Sequence, residues 1–77
     1  MNLFKYETYY IAINMSITKV TVVELVRDKK VRLVVYKWID PESNIWKYNM
    51  ELENTFRLKI KIAQQTLEEL CQTQTKQ

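Results

Sequence analysis

The sequence predicts an α+β chain: a small antiparallel β-sheet of four or five strands followed by one C-terminal α-helix, in a protein expected to dimerise. Three observations carry this. Ile17 to Arg27 (ITKVTVVELVR) and Val31 to Ile39 (VRLVVYKWI) are dominated by β-branched and aromatic residues. Phe56, Leu58, Ile60 and Ile62 alternate with Arg57, Lys59 and Lys61, the period of a half-buried strand. Beyond them Ala63, Leu67, Leu70 and Cys71 recur at three- and four-residue spacings, the period of an amphipathic helix.

Taken in order, residues 1–13 hold Phe4, Tyr6, Tyr9, Tyr10 and Ile11 and are expected to form an N-terminal strand or a dimer arm. The sheet is expected over 17–62. Its first hairpin turns through Arg27-Asp28-Lys29-Lys30, where Asp28 is expected to take the left-handed backbone that Gly would otherwise supply. Asp40-Pro41-Glu42-Ser43-Asn44 forces a break, because Pro presets a turn angle and cannot join a central ladder. Ile45 to Leu52 and Phe56 to Ile62 follow as two further strands, 63–72 as the helix, and 73–77 as a frayed tail. A competing reading joins Leu52, Phe56, Ile60, Ala63, Leu67 and Leu70 into the stripe of one long helix. The strand reading is preferred, since Leu58 and Ile62 lie far off that stripe.

The chain is 77 residues long, enough for a single domain, 1–77. A domain of this size buries only about 60–65% of its unfolded surface, so a partner or a second copy is expected to add stability. With 0 Gly, neither a Walker phosphate loop nor a dinucleotide glycine fingerprint is present. With 0 His, Ser-His and Cys-His catalysis and the commonest metal ligand are missing too. Ser16 and Ser43 are expected in turns, and Glu51, Glu53, Glu68 and Glu69 at solvated positions where nothing perturbs them. Cys71, on the helix stripe, reads as a small buried hydrophobe. No enzyme activity, cofactor or metal site is expected. A single cysteine, no signal-peptide pattern and no apolar run near the ~18–20 residues of a membrane span suggest an intracellular protein, cytoplasmic or nuclear, neither secreted nor membrane-bound.

Net charge is +3, and basic residues interleave with aromatics along the expected strands. That mixture suits single-stranded nucleic acid, whose bases stack on rings while Lys and Arg follow the phosphates. Tyr36, Trp38, Trp46 and Tyr48 are the stacking candidates. Arg32, Lys37, Lys47, Arg57, Lys59 and Lys61 are the phosphate candidates, with Arg57, Lys59 and Lys61 expected to project from the outer face of the sheet. Neighbouring strand residues alternate, so these side chains cannot all share one face.

Two fragments resemble the single-stranded-DNA-binding domain of the positive-cofactor-four family of transcriptional coactivators. Trp38-Ile39-Asp40-Pro41-Glu42 resembles that family's aromatic strand end entering an Asp-Pro-Glu turn. Leu58-Lys59-Ile60-Lys61-Ile62-Ala63-Gln64-Gln65-Thr66-Leu67-Glu68-Glu69-Leu70 resembles its last strand leading into a short helix, although Leu58-Lys59 stands where the family usually has Lys-Gly. The resemblance implies a curved antiparallel sheet, a homodimer formed through the C-terminal helix, and binding of separated DNA strands, with Trp38 carried over by position. The expected function is thus a non-catalytic module binding single-stranded DNA or RNA, a transcription or replication cofactor. The alternative is a protein-interaction module, of the viral or phage effector type, binding a host protein through its aromatic sheet or helix face, with Tyr6, Tyr9 and Tyr10 as anchors.

Overall fold

The computed structural model describes residues 2–75, and side chains through residue 71. Strands β1 (Thr8–Ile13), β2 (Ser16–Arg27), β3 (Arg32–Ile39) and β4 (Trp46–Leu52) form one sheet in chain order, each antiparallel to its neighbour, and helix α1 (Glu53–Thr75) lies across one face. This is the α+β arrangement that the sequence predicts. Tyr9 and Tyr10 lie in β1, paired with β2 within the sheet, and Tyr6 precedes the strand.

Turn chemistry explains the meander. Ile13 pairs with Ser16, so only Asn14 and Met15 connect β1 to β2, both in left-handed backbone at φ 47° and 66°. Two such residues match the right-handed twist of the strands they join. Asn adopts that geometry readily; Met does so at a steric cost and points its side chain wholly into solvent. Ser16, expected in a turn, therefore opens β2. Asp28 is not left-handed. Instead its Oδ1 accepts the Lys29 N–H at 2.6 Å and its N–H donates to the Val31 carbonyl at 2.9 Å, closing the β2–β3 turn with ordinary backbone. The Pro41 loop turns the chain where expected. There the Asn44 N–H donates to the Asp40 carbonyl at 2.8 Å, and Asn44 takes φ 57°.

The principal correction concerns 53–62. Phe56 to Ile62 is not a strand but the early part of α1. Phe56, Ile60 and Ala63 are buried at i, i+4 and i+7, while Leu58 and Ile62 are left 57% and 42% exposed. The competing stripe prevails because thirteen of the 23 residues of α1 are Leu, Lys, Ala, Gln or Glu, all good helix formers, and most of them fall after Arg57. A strand there would also need a place in a sheet whose covered face already has its core. The helix begins ten residues earlier than expected and continues through Thr75, so 73–75 are helical; 76–77 lie outside the described residues.

The core lies between α1 and one sheet face. Ile11 of β1, Val20 and Val22 of β2, and Val34 and Tyr36 of β3 meet Phe56 and Ile60, and Leu3 closes the cluster from the N-terminal segment. A bulge at Val22/Glu24 leaves room for that segment: the Tyr6 N–H donates to the Val22 carbonyl at 2.7 Å, and the Val22 N–H to the Glu7 carbonyl at 3.0 Å. At 23 residues α1 is about 34 Å long. Leu67, Leu70 and Cys71 continue its apolar side but are exposed, since they lie past the last buried helix residue, Ala63. Cys71 is thus not the buried hydrophobe the stripe suggests.

Candidate functional site

Strand register divides the candidate side chains between two faces. Tyr36 sits opposite Val22 and Asn49, and Trp38 opposite Lys47. Arg32, Tyr36, Trp38 and Lys47 therefore point to the face that α1 covers. Lys37 pairs with Thr21 and Tyr48, and Ile39 with Trp46. These point to the open face.

On the covered side most of the candidates serve structure. Tyr36 is 1% exposed, packs on Phe56 with ring centroids 5.0 Å apart, and accepts a hydrogen bond from the Asn49 amide at 3.1 Å. Burial pushes its phenol above the usual value, and no base can reach the ring to stack on it. Trp38 is half-buried, stacked on Tyr36 at 5.6 Å. Tyr9 lies edge-on to Phe56 at 6.0 Å, and its hydroxyl accepts the Phe4 N–H at 3.0 Å, so it is a packing residue; Tyr6 and Tyr10 are exposed.

The cations of this side have carboxylate partners. Lys59 of α1 meets Glu51 of β4 at 2.8 Å; that hydrogen bond raises the Lys59 pKa and holds it charged. Lys47 reaches Asp40 at 3.3 Å. Glu53, 6% exposed and far from solvated, lies within 3.6 Å of Arg27, 3.9 Å of Arg32 and 3.4 Å of Arg57. Arg57, Lys59 and Lys61 project from a helix and form no outward row on the sheet; Lys61 is exposed.

The open face has no helix over it. At one end Leu33 and Val35 of β3 oppose Leu52 and Met50 of β4, with Val26 beside Leu33. At the other end Lys37 opposes Tyr48, and its Nζ lies 4.6 Å from the centre of the Trp46 ring on the diagonal. Trp46 and Tyr48 are 49% and 63% exposed. Lys19, paired across β1–β2 with Tyr10, adds a second cation and a third ring. Ile17, Thr21, Lys37 and Trp46 border a concavity of about 460 Å³ at this end. Sequence reasoning missed Lys19 and offered Tyr10 only as an anchor of the protein-binding alternative, because their juxtaposition depends on the two-residue turn at Asn14 and Met15.

Among the described residues no group of three or more His, Cys, Asp or Glu side chains converges on a point, and no helix is long and apolar enough to cross a membrane. Compared with protein-family models, curated proteins and solved structures, the chain matches none of them.

Proposed function

We propose that this chain is a non-catalytic module that binds single-stranded nucleic acid on the aromatic end of its open sheet face. One observation carries the reading. The two cations there, Lys19 and Lys37, have no carboxylate partner among the described residues and stand beside exposed Tyr10, Trp46 and Tyr48, whereas Arg32, Lys47, Arg57 and Lys59 are matched by acids. Bases stack on Trp46 and Tyr48 for roughly 1–3 kcal/mol each, and the two lysines accompany the phosphates. An antiparallel sheet followed by a helix is also what the positive-cofactor-four resemblance implies. The segment taken for that family's last strand is helical, so the resemblance lends its support through order alone. An intracellular role as a transcription or replication cofactor and a homodimer joined through exposed Leu67 and Leu70 of α1 belong to the same proposal.

Fluorescence titration tests it. Trp46 is the exposed indole and reports directly on stacking. Single-stranded oligonucleotides are expected to quench it more strongly than duplex, with affinity falling as salt rises by a log–log slope near 0.7 per phosphate contact. Negligible quenching by both forms at low and high salt rejects the reading.

The aliphatic end of the same face supports a second reading. Val26, Leu33, Val35, Met50 and Leu52 form a hydrophobic surface of the kind that proteins cover. A protein partner bound there would persist at high salt and be displaced by Met50→Lys, without any oligonucleotide binding.

A further inference from the structure

We propose that the cleft between the β2–β3 turn and the start of α1 binds a phosphate group. It measures about 260 Å³ and is bordered by Asp28, Lys29, Lys30 and Arg32 on the sheet side and by Glu53 and Asn54 on the helix side. Charge is unbalanced around it. The single carboxylate of Glu53 faces three guanidinium groups, those of Arg27, Arg32 and Arg57, all within 3.9 Å. Lys29 and Lys30 add two exposed ammonium groups, with Asp28 as the only other acid; its Oδ1 is occupied by the Lys29 N–H of its own turn. The lining of the cleft holds Lys29, Lys30 and Arg32 against Asp28 and Glu53, and Arg27 and Arg57 meet Glu53 from beside it.

The backbone adds to the same field. β4 enters α1 without a linker, so the residue preceding the helix is Leu52, whose side chain has no acceptor to offer the first amides. Those amides and the positive end of the helix dipole favour an anion. A phosphate matches these features together: it carries up to two charges, presents several acceptor oxygens and suits the planar fork of Arg32. The cleft lies at the start of β3, and the Trp46 surface at its end, about 23 Å away along an eight-residue strand. The inference therefore stands whether or not the aromatic surface binds bases. A phosphate at this cleft comes either from the end of a nucleic-acid strand or from free phosphate.

The full chain is titrated with inorganic phosphate, and with chloride at matched ionic strength, while backbone amide resonances are followed by NMR. Saturable shifts are expected at 29–32 and 53–55 with phosphate. They should become about tenfold weaker in affinity in the Lys29→Ala/Lys30→Ala variant and stay unchanged in Trp46→Ala. Both lysines are exposed turn residues outside the core, so the double variant retains the fold, which its far-UV circular dichroism checks. In a second arm, tighter binding of a 5′-phosphorylated oligonucleotide than of its 5′-hydroxyl form assigns the phosphate to a strand end; equal binding assigns the cleft to free phosphate. Shifts no larger with phosphate than with chloride, or shifts that survive the double substitution, overturn the proposal. Phosphate binding without oligonucleotide binding would discard the nucleic-acid reading alone.

Discussion

The two faces of the sheet are built from similar residue types and behave in opposite ways. On the covered face, Val20, Val22, Val34 and Tyr36 meet α1 and lose their water. On the open face, Ile39, Trp46, Tyr48 and Met50 remain exposed. Hydrophobicity alone therefore did not decide which side became core; the partner did, and the partner is a helix that three residues, Phe56, Ile60 and Ala63, hold in place. Charge follows the same division. Acids neutralise cations beside the core, where isolated charge is costly, and leave Lys19 and Lys37 unmatched where water still reaches them.

Substitutions break this contrast in a graded way. Phe56→Ala removes the ring that joins Tyr9 and Tyr36 and is expected to cost about 3–5 kcal/mol, enough to leave a domain this small largely unfolded in a chemical-denaturation experiment. If the protein keeps its unfolding midpoint, the helix is not what makes that face the core. Glu53→Gln leaves three arginines around a neutral amide, and denaturation should register a loss of about 1–3 kcal/mol, tempered because the guanidinium groups are partly exposed.

Trp46→Ala, on the open face, should weaken oligonucleotide binding by roughly 1–3 kcal/mol. It should shift stability by no more than about 0.5 kcal/mol. The reverse pattern would make Trp46 a core residue in disguise. Lys37→Ala should lower the salt slope of binding by about 0.7, read from titrations at several salt concentrations. The smallest effect is on pH dependence. The Ser43 hydroxyl, at 2.8 Å, holds the Asp40 carboxyl below its ordinary value of 3.8. A depressed carboxylate stabilises the fold above its unfolded pKa and ceases to do so as pH falls through the folded value. Thermal midpoints of the parent and Ser43→Ala should therefore differ slightly at neutral pH and converge in strong acid.

The sheet was legible because β-branched runs leave few alternatives: ITKVTVVELVR and VRLVVYKWI read as strands on local preference, and Asp40-Pro41 marks the turn that follows. The start of α1 was not. FRLKIKI alternates perfectly, yet Phe56, Ile60 and Ala63 also fall at helical spacing, and only the presence of a sheet face to cover distinguishes the two. For the candidate site, alternation separated Tyr36 and Trp38 from Lys37, and Lys47 from Trp46 and Tyr48. It could not say which set the helix would hide. Register supplied that answer, and with it Lys19 and Tyr10.

The direct passage from Leu52 to Glu53 has a mechanical meaning. Strand and helix share one end, and Phe56, Ile60 and Ala63 clamp the first half of α1 to the sheet, so the helix cannot pivot at Glu53. Past that clamp the helix runs on from Gln64 to Thr75, about 18 Å of spar that carries Leu67 and Leu70 into water.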